Sequence, residues 1–412
     1  MTTLKTLRIH SFSCAVIVIV GLAAMIAGTT APARAQTYSV LYNFTYGADG
    51  GHPTAALIQD NAGNFYGTTE AGGNLNCTIV DPGCGVVFKL SPTGQETVLY
   101  TFNGGTDGAD PVGGLVLDIE GNLYGTTARG GEPNCAWGNG LGCGTIFKLD
   151  ASGKETILYR FKGTTDGAAP AASLYRDAAG NLWGSAQFEG TNNSQCVPSG
   201  CGTLFKLDPS GKLTVHIWQG APNDGAWPMA ALIADSSGNL YGTTYFGGPY
   251  NSGIVFKIAS TGKITTLHNF DINNNDAAGP TGLILAGNKL YGPAVSGGAN
   301  GGGGAVYELS LTQESVLYSF GQIGDELNPW TEGVLARDSA GNLYGTTLYD
   351  GEGTGTVYKV APNGTYSVVH AFADGGTPAS GVIRDSAGNL YGTAQFAGVT
   401  GGGVVFKIPP RD

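Results

Sequence analysis

Carboxylates at fixed spacing are the first groups in this sequence able to do chemistry. An Asp stands four residues before a Pro seven times, at Asp49, Asp107, Asp166, Asp224, Asp276, Asp325 and Asp374. A converging ring of carboxylates would draw a cation, and calcium asks for several oxygens at one point. The same residues in Gly-rich loops can instead hold their own backbone as Asx-turns. One Asp per repeat favours the Asx-turn, because it spreads the charges apart. Glu332 is the outlier: it fills a position held elsewhere by Ala55, Gly113 and Ser380. With Asp325 or Glu326 it makes the pair to test for glycoside chemistry, which needs two carboxyl groups about 5–10 Å apart. A Glu facing channel water is the plainer account.

Aromatic side chains form a second set. Phe188, Phe246, Tyr349 and Phe396 follow a recurring Thr-Thr phrase, while Ala71, Arg129 and Ser296 take that place in three other repeats. Trp227 and Trp330 adjoin Pro228 and Pro329. Such rings either stack on the flat faces of sugars or pack between repeats. His216, His268 and His370 replace a recurring Tyr (Tyr42, Tyr100, Tyr159, Tyr318) in different repeats, so a shared metal or a nucleophilic triad is not expected among them. His52 is the fourth histidine of the mature chain. No HExxH or phosphate loop is present, and the sequence calls for no cofactor and no metal.

The elements that position these groups come from an internal repeat. Asn-Leu-Tyr-Gly-Thr-Thr recurs with its aromatic at Tyr66, Tyr124, Trp183, Tyr241, Tyr291, Tyr344 and Tyr391, at spacings of 47 to 59 residues. Before it stands a small-residue strand such as Ala55-Ala56-Leu57-Ile58 and an Asp60-x-x-Gly63-Asn64 turn. That turn returns at Asp118, Asp177, Asp235, Asp338 and Asp385, and the fifth repeat shortens it. A left-handed Gly explains the spacing. A third strand like Val86 to Leu90 and a fourth like Val98 to Phe102 complete the unit; all are short and rich in β-branched and aromatic residues. Repeat seven ends at Ile408 without a fourth strand, and Val40 to Phe44 is an unattached copy of one. The sequence therefore predicts an all-β, seven-bladed β-propeller. Each blade has four antiparallel strands, and the N-terminal strand (about 38–44) closes the ring by pairing into the last blade. The repeat units run from about 53 to 408 within a single domain, 36–412.

The seven Leu-Tyr-Gly-Thr-Thr…Gly-Gly…Gly-Thr-Val-Phe-Lys-Leu units, as in Leu123 to Thr127 with Gly144 to Leu149, resemble the Gloeo/Verruco (GloVer) tandem-repeat family of exported bacterial proteins. That resemblance spans nearly all of 37–409. It implies a propeller fold and a cell-envelope or secreted setting, and no settled activity. Many relatives look anchored by a separate C-terminal segment; the ending Pro409-Pro410-Arg411-Asp412 leads us to expect release.

The first 35 residues fit a secretory signal. Lys5, Arg8 and His10 precede an apolar run from Cys14 to Gly28, and Ala33-Arg34-Ala35 offers cleavage before Gln36. No further stretch is apolar enough to span a bilayer. The six remaining cysteines fall as Cys77/Cys84, Cys135/Cys143 and Cys196/Cys201, the second of each just before a repeated Gly. Three local disulfides in an oxidising compartment fit; zinc fits poorly, with no CxxC and no accompanying His. Their loops, with Trp137 in the second, either shape a cleft or brace against proteolysis. A net charge of −11 argues against a nucleic-acid partner. The expected protein is secreted, extracellular or periplasmic, and binds a polysaccharide or an envelope protein without catalysis. A glycan lyase or glycosidase and a structural surface or matrix protein are the alternatives.

Overall fold

A computed structural model describes residues 38–79, 82–135, 137–190, 196, 198–299, 302–310, 313–321, 335–348, 355–373 and 375–410. They form seven antiparallel blades. Blade one runs Ile58–Gln59, Phe65–Thr69, Val86–Leu90 and Glu96–Thr101. The other blades repeat this order, and blade five adds a further strand, Ala277–Pro280, to its sheet. Blade seven takes its outer strand from the N-terminus: Ser39–Asn43 pairs antiparallel with Val404–Ile408, Ser39 opposite Lys407. The ring closes as the missing fourth strand required. The described residues include only two single-turn 3-10 segments besides strands, and none of their helices is long and apolar enough to cross a membrane.

Stability comes from the faces between blades. Among the described residues there are seven buried clusters, each joining two successive blades. Each contains one recurring contact, where an aromatic that ends one outer strand meets an aromatic on the next blade's third strand. Phe44 meets Phe88 with centroids 5.0 Å apart, Phe102 meets Phe147 at 5.2 Å and Phe372 meets Phe406 at 5.3 Å, mostly edge to face. The Gly of the Tyr-Gly-Thr-Thr phrase makes room for that third-strand ring. A Cβ on Gly67 would lie 2.6 Å from Phe88 Cζ, and one on Gly125 2.6 Å from Phe147 Cζ.

One expectation needs refining. The small-residue stretch Ala55 to Ile58 is not a full strand; in blade one only its last residue pairs, Ile58 with Tyr66, followed by Gln59 with Phe65. Further in, blades tie to one another instead. The first Thr of the phrase donates its hydroxyl to the small-residue stretch of the following blade: Thr68 to Gly113 O at 3.3 Å, Thr346 to Ser380 O at 2.9 Å, and, across the closure, Thr393 to Ala55 O at 3.3 Å. Such close approach of backbones admits only small side chains.

Candidate functional site

Antiparallel strands place the loops after each second and each fourth strand on one face, here the mouth. The opposite face, the base, carries the Asp turns. At the base of blade one, Asp60 accepts from the backbone of Ala62 (2.9 Å) and Asn64 (2.8 Å), from Asn64 Nδ2 (2.8 Å) and from the Tyr66 hydroxyl (3.0 Å). Gly63 is left-handed, φ 83°. Trp183 Nε1 substitutes for the hydroxyl at Asp177. Blade five, which lacks the Asp, changes the third-strand Lys to Glu308, and Lys289 Nζ approaches it to 2.6 Å.

At the mouth, in five blades, the residue before the Pro and the residue after the Thr-Thr phrase are joined through the backbone. Glu70 N donates to His52 O (3.1 Å), Ala128 N to Asp110 O (2.8 Å), Tyr245 N to Trp227 O (3.0 Å) and Gln395 N to Thr377 O (2.8 Å). His52, Asp110, Ala169 and Trp227 all have positive φ, 53–61°. Non-glycine residues seldom adopt that conformation, and strain of this kind persists only where the surroundings impose it. The frame is thus constant while the side chain it presents changes from blade to blade.

The described Asp-to-Pro carboxylates, Asp49, Asp107, Asp166, Asp224 and Asp276, belong to this frame; Asp325 and Asp374 lie outside the described residues. Asp166 Oδ2 accepts from Lys162 N (2.9 Å) and from the Tyr159 hydroxyl (3.0 Å); Asp49 and Asp107 do likewise with Tyr42 and Tyr100. These are Asx-type turns with one partner the sequence did not reveal, the outer-strand Tyr. Two of the histidines that replace that Tyr keep the pairing: His268 Nε2 lies 3.1 Å from Asp276 Oδ2, and His216 Nε2 3.8 Å from Asp224. The Tyr100 hydroxyl also reaches Glu155 Oε2 of blade two, 3.2 Å away. One further cluster on the rim has metal-ligand chemistry: His268, Asp276 and Glu314, with ligand atoms within 4.8 Å of one another.

The mouth has two unlike halves. Over blades two to four lies a row of half-buried rings. Trp137 stacks on Phe188 (5.2 Å), Phe188 meets Trp227 edge-on (5.6 Å), and Trp227 meets Phe246 (5.1 Å). Disulfides Cys77–Cys84, Cys135–Cys143 and Cys196–Cys201 close loops of blades one to three, with Cα atoms 5.7, 5.8 and 5.1 Å apart. The second of them leads into the turn Trp137–Gly140 that presents Trp137. Over blades seven, one and two polar side chains meet one another. His52 Nδ1 (3.2 Å) and Gln395 Nε2 (2.9 Å) both reach Glu70 Oε1, and Arg129 Nε lies 3.3 Å from Asp110. Burial pushes the Asp110 carboxyl up to about 7; the Glu70 charge adds to this and Arg129 opposes it.

Of the sequence-predicted residues, Phe188, Trp227 and Phe246 come together, with Trp137. Phe396 stands apart at the ring closure, packed edge-on against His52 at 4.5 Å. Trp330, Tyr349, Glu332, Asp325, Glu326 and the cleavage site Ala35/Gln36 lie outside the described residues. The sequence analysis missed the polar half. Its signal was available: Glu70, Asp110 and Gln395 each sit beside a recurring repeat anchor (Thr69, Pro111 and Ala394) at a position that varies.

Fold and site define a seven-bladed repeat propeller with a constant base and a varied mouth. The chain belongs to the Gloeobacter/Verrucomicrobia repeat family, whose model matches residues 28–198, 83–303 and 272–412. No curated protein matches the chain. Its fold is similar to that of a catalytically inactive virginiamycin B lyase from Staphylococcus aureus solved with quinupristin, 13% identical with a TM-score of 0.60, over 91% of this chain and 99% of that one. A streptogramin B lyase is similar at 14% identity and TM-score 0.56, over 90% and 96%. The extracellular domain of a protein described as a hybrid two-component system from B. thetaiotaomicron is similar at 12% identity and TM-score 0.55, over 90% of this chain and 39% of that one. At these identities the likeness is one of fold.

Proposed function

We propose that this protein is an exported, non-catalytic binding module that takes an extracellular polysaccharide across its mouth. The ring row Trp137–Phe188–Trp227–Phe246 carries the reading. Half-buried rings held by neighbours present flat apolar faces, which suit the C–H faces of sugars. The polar half supplies His52, Glu70, Gln395 and Arg129 for hydroxyl groups. The net charge of −11 favours a neutral polymer over an acidic one. Three disulfides support an oxidising compartment, extracellular or periplasmic.

Affinity electrophoresis of residues 36–412 through gels containing neutral polysaccharides tests it. At least one polymer should retard the protein, and Trp137→Ala with Phe188→Ala should remove the retardation without altering the cooperative melt. Unchanged mobility in every neutral polymer, or equal retardation of the double variant, contradicts the reading. Capture of an envelope protein by the same face in place of a glycan would replace it.

A further inference from the structure

The rim between successive blades repeats one arrangement. An outer-strand Tyr or His, the Asp of the following loop and the residue that opens the next blade's outer strand come together. Where that third residue is Glu155, the Tyr100 hydroxyl serves both carboxylates, at 3.1 and 3.2 Å. Where it is an aromatic, that residue itself brings no carboxylate: Tyr318 stacks on Tyr366 at 4.6 Å, and His370 on Tyr38 at 4.1 Å. After His216 it is Ile264, which offers no ligand atom. Only between blades four and five, among the described residues, does a histidine meet two carboxylates.

There His268 Nε2 lies 3.1 Å from Asp276 Oδ2, and Glu314 brings its carboxylate within 4.8 Å of both. The exchange of Tyr for His changes the chemistry. A phenol places its O–H between the carboxylates and binds metals poorly while protonated, whereas a neutral imidazole offers a nitrogen lone pair suited to a divalent transition metal. Glu314 Oε1 is buried and has no hydrogen-bond partner among the described residues. Two facing carboxylates with one imidazole need either a shared proton or a cation between them. One nitrogen and two carboxylate oxygens suit a borderline divalent ion; calcium and magnesium prefer oxygen alone.

We propose that His268, Asp276 and Glu314 form a binding site for a divalent transition-metal ion of the Zn2+ class, and that the ion fastens blade four to blade five at the rim. The histidine and aspartate come from the outer strand of blade four and the loop after it, and the glutamate from the outer strand of blade five. The disulfides brace blades one to three; this site would brace the ring beyond them.

Residues 36–412, stripped with a chelator, are titrated with ZnCl2 by calorimetry, and their melting temperature is followed alongside. One equivalent should bind saturably and raise the melting temperature, and Co2+ in its place should give a visible d–d absorption band. His268→Tyr restores the repeat's own residue, so the variant should melt cooperatively yet lose all three signals; Glu314→Gln should weaken them. His216→Tyr, whose pair lacks a third ligand, should keep them. Absence of saturable Zn2+ binding by the wild type means that a shared proton serves instead and overturns the proposal. Equal binding by His268→Tyr, or loss in His216→Tyr, overturns it too.

Discussion

The base and the mouth of this propeller use the same backbone differently. At the base, the Asp-x-x-Gly-Asn-x-aromatic turn keeps the same hydrogen bonds in six blades, from Asp60 to Asp385. At the mouth an equally constant backbone pairing presents His52, Asp110, Ala169 or Trp227. A side chain bonded to its own turn is fixed by the fold. A side chain merely displayed by the fold is free to differ, and those are the positions where recognition can be built.

Removing residues 38–46 strikes the frame that both faces share and should have the largest effect. It takes away the strand Ser39–Asn43 and the fully buried Phe44, whose truncation alone would cost about 3–5 kcal/mol. The single cooperative transition should be lost; a deletion variant that melts as sharply and as late as the intact chain would break the account of closure.

Asp235→Ala addresses the base alone. Burial pushes this carboxyl up, but hydrogen bonds from Asn239, Tyr241 and Ser237 outweigh it and hold the group down at about 2. Loss of those bonds at a partly exposed turn should cost about 1–2 kcal/mol by urea denaturation, with polysaccharide retardation unchanged. Loss of retardation in a still-folded Asp235→Ala protein would erase the distinction between the faces.

The rim titrates. Burial, with repulsion from Asp49 and Asp107 respectively, raises Glu96 and Glu155 to about 7. The folded state therefore holds these protons more tightly than the unfolded chain. Their contribution is complete below the unfolded value of about 4.3 and is lost as pH rises through about 7. Melting temperature should fall over that interval, and Glu96→Gln with Glu155→Gln should flatten the fall. An identical decline in the double variant would remove these two groups as its cause.

The smallest change belongs to the mouth. Ala169→Gly relieves a left-handed alanine, φ 53°, and should stabilise by about 1 kcal/mol, seen as a modest rise in melting temperature. A fall would show that the alanine methyl packs usefully there.

Much of this was legible in the sequence because the repeat counts itself. A fourth strand missing after Ile408 and spare before residue 45 points to closure, and cysteines in register before Gly85, Gly144 and Gly202 favour local pairing; both are found. The Asx reading of Asp49 and its counterparts also followed from spacing. What was not legible depends on side chains crossing between blades. Glu155 meets Tyr100 from 55 residues away, and Glu314 meets His268 only because adjacent outer strands lie side by side. Beside the short strand Ile58–Gln59, Thr393 of blade seven donates to Ala55 O, a contact between blades that no single repeat encodes.

The division between base and mouth is tested most directly by hydrogen–deuterium exchange with and without a polysaccharide that retards the protein. The account predicts added protection in the segments around Trp137, Phe188, Trp227 and Phe246, and none at the Asp turns around Asp60, Asp118 and Asp235. Protection centred on those turns, with the aromatic segments exchanging as before, would contradict it.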